Sequence, residues 1–531
     1  MFCLEYIMEK KFCLRRLGLV FILISFVSSL SFAQSAVENA SSAGSAGSVG
    51  QGAVQQDVAN TGAANADAAN TDGTKQNGSK QNVTKQKKEK KSGDDLVFAE
   101  PSLVSGLLSF SEITLFSIGL NQWDRRVLKE EYAQVNWSTM KKNLTSKWFW
   151  DYDPFSTNQI GHPYQGSVYF SMARSTGFNY WQSLAFTVYG STLWELLFET
   201  DPPSVHDEIM TTIPASFLGE SLHRMYFITN DYLPFLSWVV SPADAVNQLL
   251  LGKKLKRPDG ELTELSFFAG AATGENTVHT EDPLIGTDSS GVSGKAIVGL
   301  NLVYGSPYYH FTKEPFDQFD FYGFAALERD RDYYAVLFGN APVWSWGIVP
   351  LEDYGTTLAV KLHYHYAQAP CFNFNNNALG LSLAQSIPAG SWKFSWEANL
   401  NWAFLVGVDY YALDSTGSYT TSDGEDRRVF DYGMGANADL KFRLEQPVFG
   451  DLSFYAGLTA EHTLPPAVIP EASSGYALML YGKAEYSHKI AGMFSLGCNY
   501  LWYKKWAWFY DDYDMDQFEQ MGSVFVKIDL L

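Results

Sequence analysis

The 531-residue chain is acidic, with 38 lysines and arginines against 58 aspartates and glutamates and a formal charge of −20. That balance repels a phosphate backbone and excludes nucleic acid as a partner, and the length exceeds one ordinary core, so two or three units are expected. Aromatics make up 15% of the residues, with 30 Tyr and 15 Trp, a composition that suits either a large core or the girdles of a membrane barrel.

A basic patch, Lys10–Arg16, precedes the short apolar run Leu17–Leu30, which ends on Ser31-Phe32-Ala33. This is the pattern of a secretory signal, residues 1–33, cleaved after Ala33. An uncleaved anchor is the rival, and no cysteine follows to take a lipid. Removing the segment leaves 34 basic against 56 acidic residues, a charge of −22. Cys3 and Cys13 leave with it, so Cys371 and Cys498 are expected as two unpaired thiols. Residues 34–95 are rich in Ala, Ser, Gly, Asn and Gln and turn Lys-rich between Lys75 and Lys91. With almost no large apolar side chains, the segment is expected to be a disordered tether.

Residues 96–259 read as a helical module. Pro163–Ser175 suits one helix stopped by Gly177, and Asn179 with Gln182 suits a capping box opening a helix through Phe198. Ser204 and Asp207 mark another start, with Pro214 expected to interrupt that helix before a further one runs through Gly219 to about Thr229. Ser241-Pro242-Ala243-Asp244 opens a last helix and Gly252 stops it. Several faces carry Phe, Trp, Leu and Tyr, so these helices should pack against something larger than one another.

Beyond Glu261 the period changes from 3.6 to 2. In Leu358–Tyr366, Lys361, His363 and His365 fall on one side and Leu362, Tyr364 and Tyr366 on the other. Similar runs recur to the C-terminus, giving about twelve strands separated by unequal turns. The fold class expected is α+β: an N-terminal helical module followed by an antiparallel transmembrane β-barrel over residues 260–531. A soluble sandwich shares the alternation, and the last strand lacks the terminal aromatic common in barrel-assembly signals.

The densest polar pattern lies in the helical module. It runs Asn158, His162-Pro-Tyr-x-Gly166, Ala173-Arg174-Ser-x-Gly177, Gly190-Ser-x-x-Trp194-Glu195-x-x-x-Glu199, Pro203-Ser204-x-x-Asp207 and Gly219-Glu220-x-x-x-Arg224. In this order the motifs resemble domain-of-unknown-function family 3943, a group of bacterial envelope proteins, over roughly residues 148–252. His206, Ala215-Ser216 and His223 depart from the family pattern. The resemblance implies an envelope location and this architecture, and it brings no mechanism.

Glu195 and Glu199 share a helix face, as do Glu220 and Arg224. Apolar helices bearing a few charges pair them internally, because an unpaired buried charge costs several kcal/mol. The first expectation is therefore a charge network or polar ligand site of Asn158, His162, Arg174, Glu195, Glu199, Ser204, Asp207, Glu220 and Arg224. The weaker alternative is a metal site or acid–base pair drawn from His162, Glu195, Glu199, Asp207, Glu220 and His223, with His162, Glu195, Asp207 and Glu220 as the candidate catalytic groups. No metal site and no cofactor are expected, since zinc spacings, phosphate-cradling loops and a complete calcium loop are all missing. The functional expectation is an outer-membrane barrel of structural or transport-like role, its helices periplasmic or plugging the lumen. Alternatives are a membrane-embedded enzyme acting on lipid or envelope polymer, and a surface adhesin. Partners expected are outer-membrane lipid, the barrel-assembly machinery, and a small solute or lipid as ligand.

Overall fold

Alternation of side chains along the C-terminal half builds one closed sheet. The structure, a computed structural model, describes residues 98–531 apart from 152, 154, 282–286, 290–292, 309–310, 328–332, 352–353, 370–371, 410–418, 421–425, 428–429, 465–473 and 511–512. The expected signal segment, the tether and Cys371 lie outside the described residues, while Cys498 is a free thiol.

Twelve antiparallel strands follow one another in chain order. They are β1 (Leu262–Thr280), β2 (Ser293–Tyr304), β3 (Phe319–Leu327), β4 (Tyr333–Leu351), β5 (Tyr354–Ala369) and β6 (Phe372–Ala389). After these come β7 (Trp392–Asp409), β8 (Phe430–Gln446), β9 (Gly450–Thr463), β10 (Gly475–Ala491), β11 (Phe494–Phe509) and β12 (Met515–Asp529). β12 closes on β1, from Ser266↔Asp529 to Thr280↔Met515. Closure satisfies every edge, as a lipid environment demands. The tight turns at Gly390 and Gly492, both with positive φ, lie at the same end as the two barrel termini. In outer-membrane barrels the short turns face the periplasm.

The two sides of the sheet have opposite polarity. On β7, Glu397, Asn399 and Asn401 are buried, whereas Leu400 is 67% and Trp402 57% exposed. Water-soluble proteins place these residue types the other way round, so this is a transmembrane barrel of the outer-membrane type. Its lumen is crossed by side chains of non-neighbouring strands. Asp320 on β3 meets Lys441 on β8 at 2.6 Å, Glu264 on β1 meets Arg443 on β8 at 2.6 Å, and His365 on β5 meets Tyr503 on β11 at 2.9 Å.

The helical segments are α1 (Leu103–Trp123), α2 (Trp137–Asn143), α3 (His162–Arg174), α4 (Tyr180–Leu197), α5 (Val205–Tyr232), α6 (Pro234–Val240) and α7 (Pro242–Leu251). The caps read from sequence form: Asn179 and Gln182 make a capping box, Ser204 accepts from the Asp207 N–H, and Gly252 is left-handed. Pro214 does not interrupt its helix. α5 runs unbroken through it, and at about 1.5 Å per residue its 28 residues span about 42 Å. Packing holds the two halves in line. Gly166 of α3 sits so close that a Cβ there would overlap the Thr211 carbonyl oxygen.

α1, α3, α4 and α5 form a bundle. Ser109 bonds Thr176 at 2.8 Å and Asn121 bonds the Phe198 carbonyl at 2.8 Å, so α1 runs with α4 and against α3. α1 buries Ser105, Ser109, Ile113, Ser117 and Asn121, one residue per turn, and leaves Leu103, Leu107 and Leu115 largely exposed. It is long and apolar enough to cross a membrane.

The bundle is mounted on the outer wall of the barrel. Phe155 stacks on Tyr366, Tyr364 donates to the Gln159 carbonyl, and the His206 and Tyr432 rings stack 4.2 Å apart. Tyr364 and Tyr366 alternate with the lumen-facing His363 and His365, and so point outward. On the neighbouring strand β4, a Cβ on Gly339, the partner of Tyr364, would lie 2.9 Å from Phe217. The expectation of helices below the barrel or inside it is therefore corrected. Strand side chains occupy the lumen, and the outward aromatic rows of β4–β8 are the apolar partner that the many-faced helices require.

Candidate functional site

Two polar clusters lie at opposite ends of the bundle, and they divide the residues that the sequence grouped together. At the periplasmic end, Glu220 accepts from Arg174 Nε and Arg224 Nε, both at 2.9 Å, and Glu314 joins Arg174 at 3.0 Å. His223 pairs with Asp244 at 2.7 Å. Arg224 also donates to the Asp259 carbonyl, tying the bundle to the start of β1. This cluster is a balanced ion network. Glu195 and Glu199 take no part in it, because α4 runs against α3 and α5 and ends at the far side.

The other cluster forms where the 143–161 segment meets the α4–α5 connection. A π-helical turn, Thr157–Gly161, leads into α3, and Pro163 in its first turn places His162. The Ser204 cap then brings Asp207 to face it. His162 Nε2 lies 3.2 Å from Asp207 Oδ1, and His206 Nδ1 lies 3.1 Å from the same oxygen and 3.6 Å from Asp151 Oδ2. Asp151 also accepts from Ser204 Oγ at 2.8 Å and from Asn158 Nδ2 at 2.6 Å. Glu195 accepts from the Ser204 N–H at 2.8 Å, while Glu199 accepts from the Trp194 indole. Asn143 caps the carbonyls of both glutamates. Asp153, its side chain 52% exposed, lies 4.0 Å from His162 at the solvent-facing edge of the cluster.

The charge here is one-sided. Among the described residues no lysine or arginine forms an ion pair with Glu195, Glu199 or Asp207, although Glu195 and Asp207 are buried. Glu199, in the loop beyond α4, has its carboxyl held well above the usual range by burial first and then by Asp207 and Asp153.

Of the residues chosen from sequence, Asn158, His162, Glu195, Glu199, Ser204 and Asp207 are brought together here, and Arg174, Glu220 and Arg224 at the other end. Asp151, Asp153 and His206 were missed. The only local signals were an Asp-x-Asp pair ahead of Asn158 and a histidine adjoining Asp207, and neither fixes proximity without the fold.

The fold and site define a class: a membrane barrel carrying, on its lipid-side wall, a helical bundle with a buried centre of carboxylates and imidazoles. Residues 147–232, which span the centre and most of the bundle, match the sequence model of a domain of unknown function, DUF3943. No curated protein matches the chain. Among solved structures, OccK2 (OpdF) of Pseudomonas aeruginosa is similar at 10% identity, covering 50% of this chain and 98% of its own, with a TM-score of 0.19. The transport unit of the Escherichia coli autotransporter AIDA-I gives 8%, 49%, 89% and 0.23. The Pseudomonas putida toluene transporter TodX gives 10%, 51%, 89% and 0.20. The architecture stands on the strand pairing and surface polarity described above.

Proposed function

We propose that the bundle is the working part of this outer-membrane barrel, a site at the outer boundary of the bilayer acting on a lipid or lipid-linked envelope polymer. The observation that carries the reading is the largely buried cluster of carboxyls and imidazoles formed by Asp151, Glu195, Glu199, Asp207, His162 and His206. The Arg174–Glu220–Arg224 network is braced by guanidiniums, whereas this cluster joins carboxyls to imidazoles with no lysine or arginine paired among the described residues, a composition suited to moving a proton. The half-exposed Asp153 meets the ligand. Glu199 retains its proton and serves as the acid, and His162 with Asp207 forms the polar floor. Glu199→Gln and Asp153→Asn should leave heat-modifiable gel mobility intact while altering the envelope-lipid profile. Unchanged lipids, with no lipid retained by the purified protein in native mass spectrometry, would overturn it.

A transport-like role through the lumen is the second reading. It is favoured by the polar lining, where a water-sized cavity of about 10 Å³ is bordered by Asn340, His363, His365, Asn437, Asp439 and Lys441. It requires the Asp320–Lys441 bridge to open. Asp320→Ala should then raise single-channel conductance in planar bilayers, and a silent variant would count against it.

A further inference from the structure

We infer that the buried cluster is a transition-metal site, with His162 Nε2, His206 Nδ1, Asp207 and Asp151 as its ligands. The assignment rests on donor geometry and does not need the lipid reading. The ligand atoms offered by Asp151, His206 and Asp207 all lie within 4.8 Å of one another, and all three residues are buried. Tetrahedral zinc, with bonds of about 2.0–2.2 Å, sets neighbouring donors about 3.3–3.5 Å apart. Three of the donor pairs, 3.2 Å from His162 to Asp207, 3.1 Å from His206 to Asp207 and 3.6 Å from His206 to Asp151, bracket that spacing, with His162 joining the three-residue group through Asp207.

A second observation points the same way. His162 Nε2 is buried and makes no aligned hydrogen bond, despite its short distance to Asp207. It is aimed into the cluster, and a cation between the two atoms satisfies both. The far sides of three of the ligands are held as metal ligands require. His162 Nδ1 contacts Thr211 Oγ1 at 3.3 Å, His206 Nε2 contacts Gln159 Nε2 at 3.2 Å, and Asn158 Nδ2 donates to Asp151 Oδ1 at 2.6 Å. With the Gln159 amide turned so that its otherwise unpartnered Oε1 accepts from the His206 Nε2–H, the Nδ1 lone pair is directed at the carboxylates. A divalent cation also adds positive charge beside Glu195, Glu199 and Asp207, with which no lysine or arginine among the described residues forms an ion pair. Two imidazoles with two carboxylates select zinc, manganese or iron over calcium or magnesium, which prefer oxygen alone. The proposal departs from the sequence expectation of no metal site, because its ligands come from three separated segments and have no motif spacing.

The test uses the mature full-length chain in detergent, stripped with chelator, reloaded with zinc and desalted. About one zinc per chain should remain, and cobalt in its place should give the strong visible bands of a tetrahedral nitrogen–oxygen site. The double variant His162→Gln/His206→Gln should lose both signals while keeping heat-modifiable mobility. Gln159→Leu should weaken binding by roughly 10–100-fold. Markedly substoichiometric zinc in the wild type, or equal retention by a folded double variant, overturns the site. If the double variant does not fold, the cobalt spectrum of the wild type decides: an octahedral spectrum overturns the assignment and a tetrahedral one supports it. Metal content is read apart from the lipid profile, so this inference and the lipid reading fail separately.

Discussion

Removing the Glu220 carboxylate should be among the most damaging single changes in the bundle. Glu220 and Arg224 have fully buried side chains, and Arg174 is 12% exposed. Glu220→Ala strands both guanidiniums. Loss of one partner from a buried pair costs about 3–5 kcal/mol, and here one carboxylate serves two partners. Glu314 limits the damage at Arg174, 3.0 Å away, but it is 44% exposed and lies 3.7 Å from Arg224. Arg224 therefore sets the loss, at about 3–5 kcal/mol. Glu314→Ala removes only a screened contact and should cost no more than about 1 kcal/mol. The assay is the midpoint of thermal unfolding in detergent, run beside abundance in isolated membranes. Replacing all three groups by apolar residues (Glu220→Leu, Arg174→Met, Arg224→Met) should recover much of the loss, because no charge is then stranded. The reasoning fails if Glu220→Ala is as mild as Glu314→Ala.

Further outcomes follow from the wall, the bundle contact and the acidic cluster. Leu400→Arg, on the exposed apolar face of β7, should destabilise the barrel by about 2–4 kcal/mol in a folding titration in lipid, and a neutral result would mean that this face does not meet hydrocarbon. Gly166→Ala forces a Cβ into the Thr211 carbonyl; thermal unfolding should show a loss of about 1–3 kcal/mol, and unchanged stability would refute the α3–α5 contact. Glu199 has a raised carboxyl in the folded state, so its contribution to stability is complete below its unfolded pKa and is lost as pH rises through the folded value. Chelator-treated protein should lose stability as pH rises above the ordinary carboxylate range, and Glu199→Gln should flatten that slope; an identical slope in both proteins would contradict the assignment.

The barrel was legible because a period of two survives any packing. Lys361, His363 and His365 against Leu362, Tyr364 and Tyr366 state which sides differ, and twelve such runs set the strand number. Helix starts were legible where caps are local, as at Asn179 and Ser204. Pro214 misled, because the proline penalty is local whereas the α3–α5 contact that outweighs it is tertiary. The position of the bundle was hidden for a similar reason. Tyr364, Tyr366 and Tyr432 have the composition of a lipid-facing girdle, and nothing in their spacing distinguishes lipid from a helix as the covering partner. The site was half visible. His162, Glu195 and Asp207 stand in motifs, but joining Asp151 to His206 requires knowing that the 143–161 segment folds back over the start of α5. Without strand and helix directions, Glu195 and Glu220 read as one network.

The central claim, a helical bundle on the outer wall with an acid–imidazole centre at its outer end, is tested most directly by a density map of the mature protein in a lipid nanodisc. The account predicts α1, α3, α4 and α5 beside the barrel within the lipid belt, His206 against Tyr432, and no helix inside the barrel. A helix in the lumen, or a helical domain hanging free below the membrane, would contradict it.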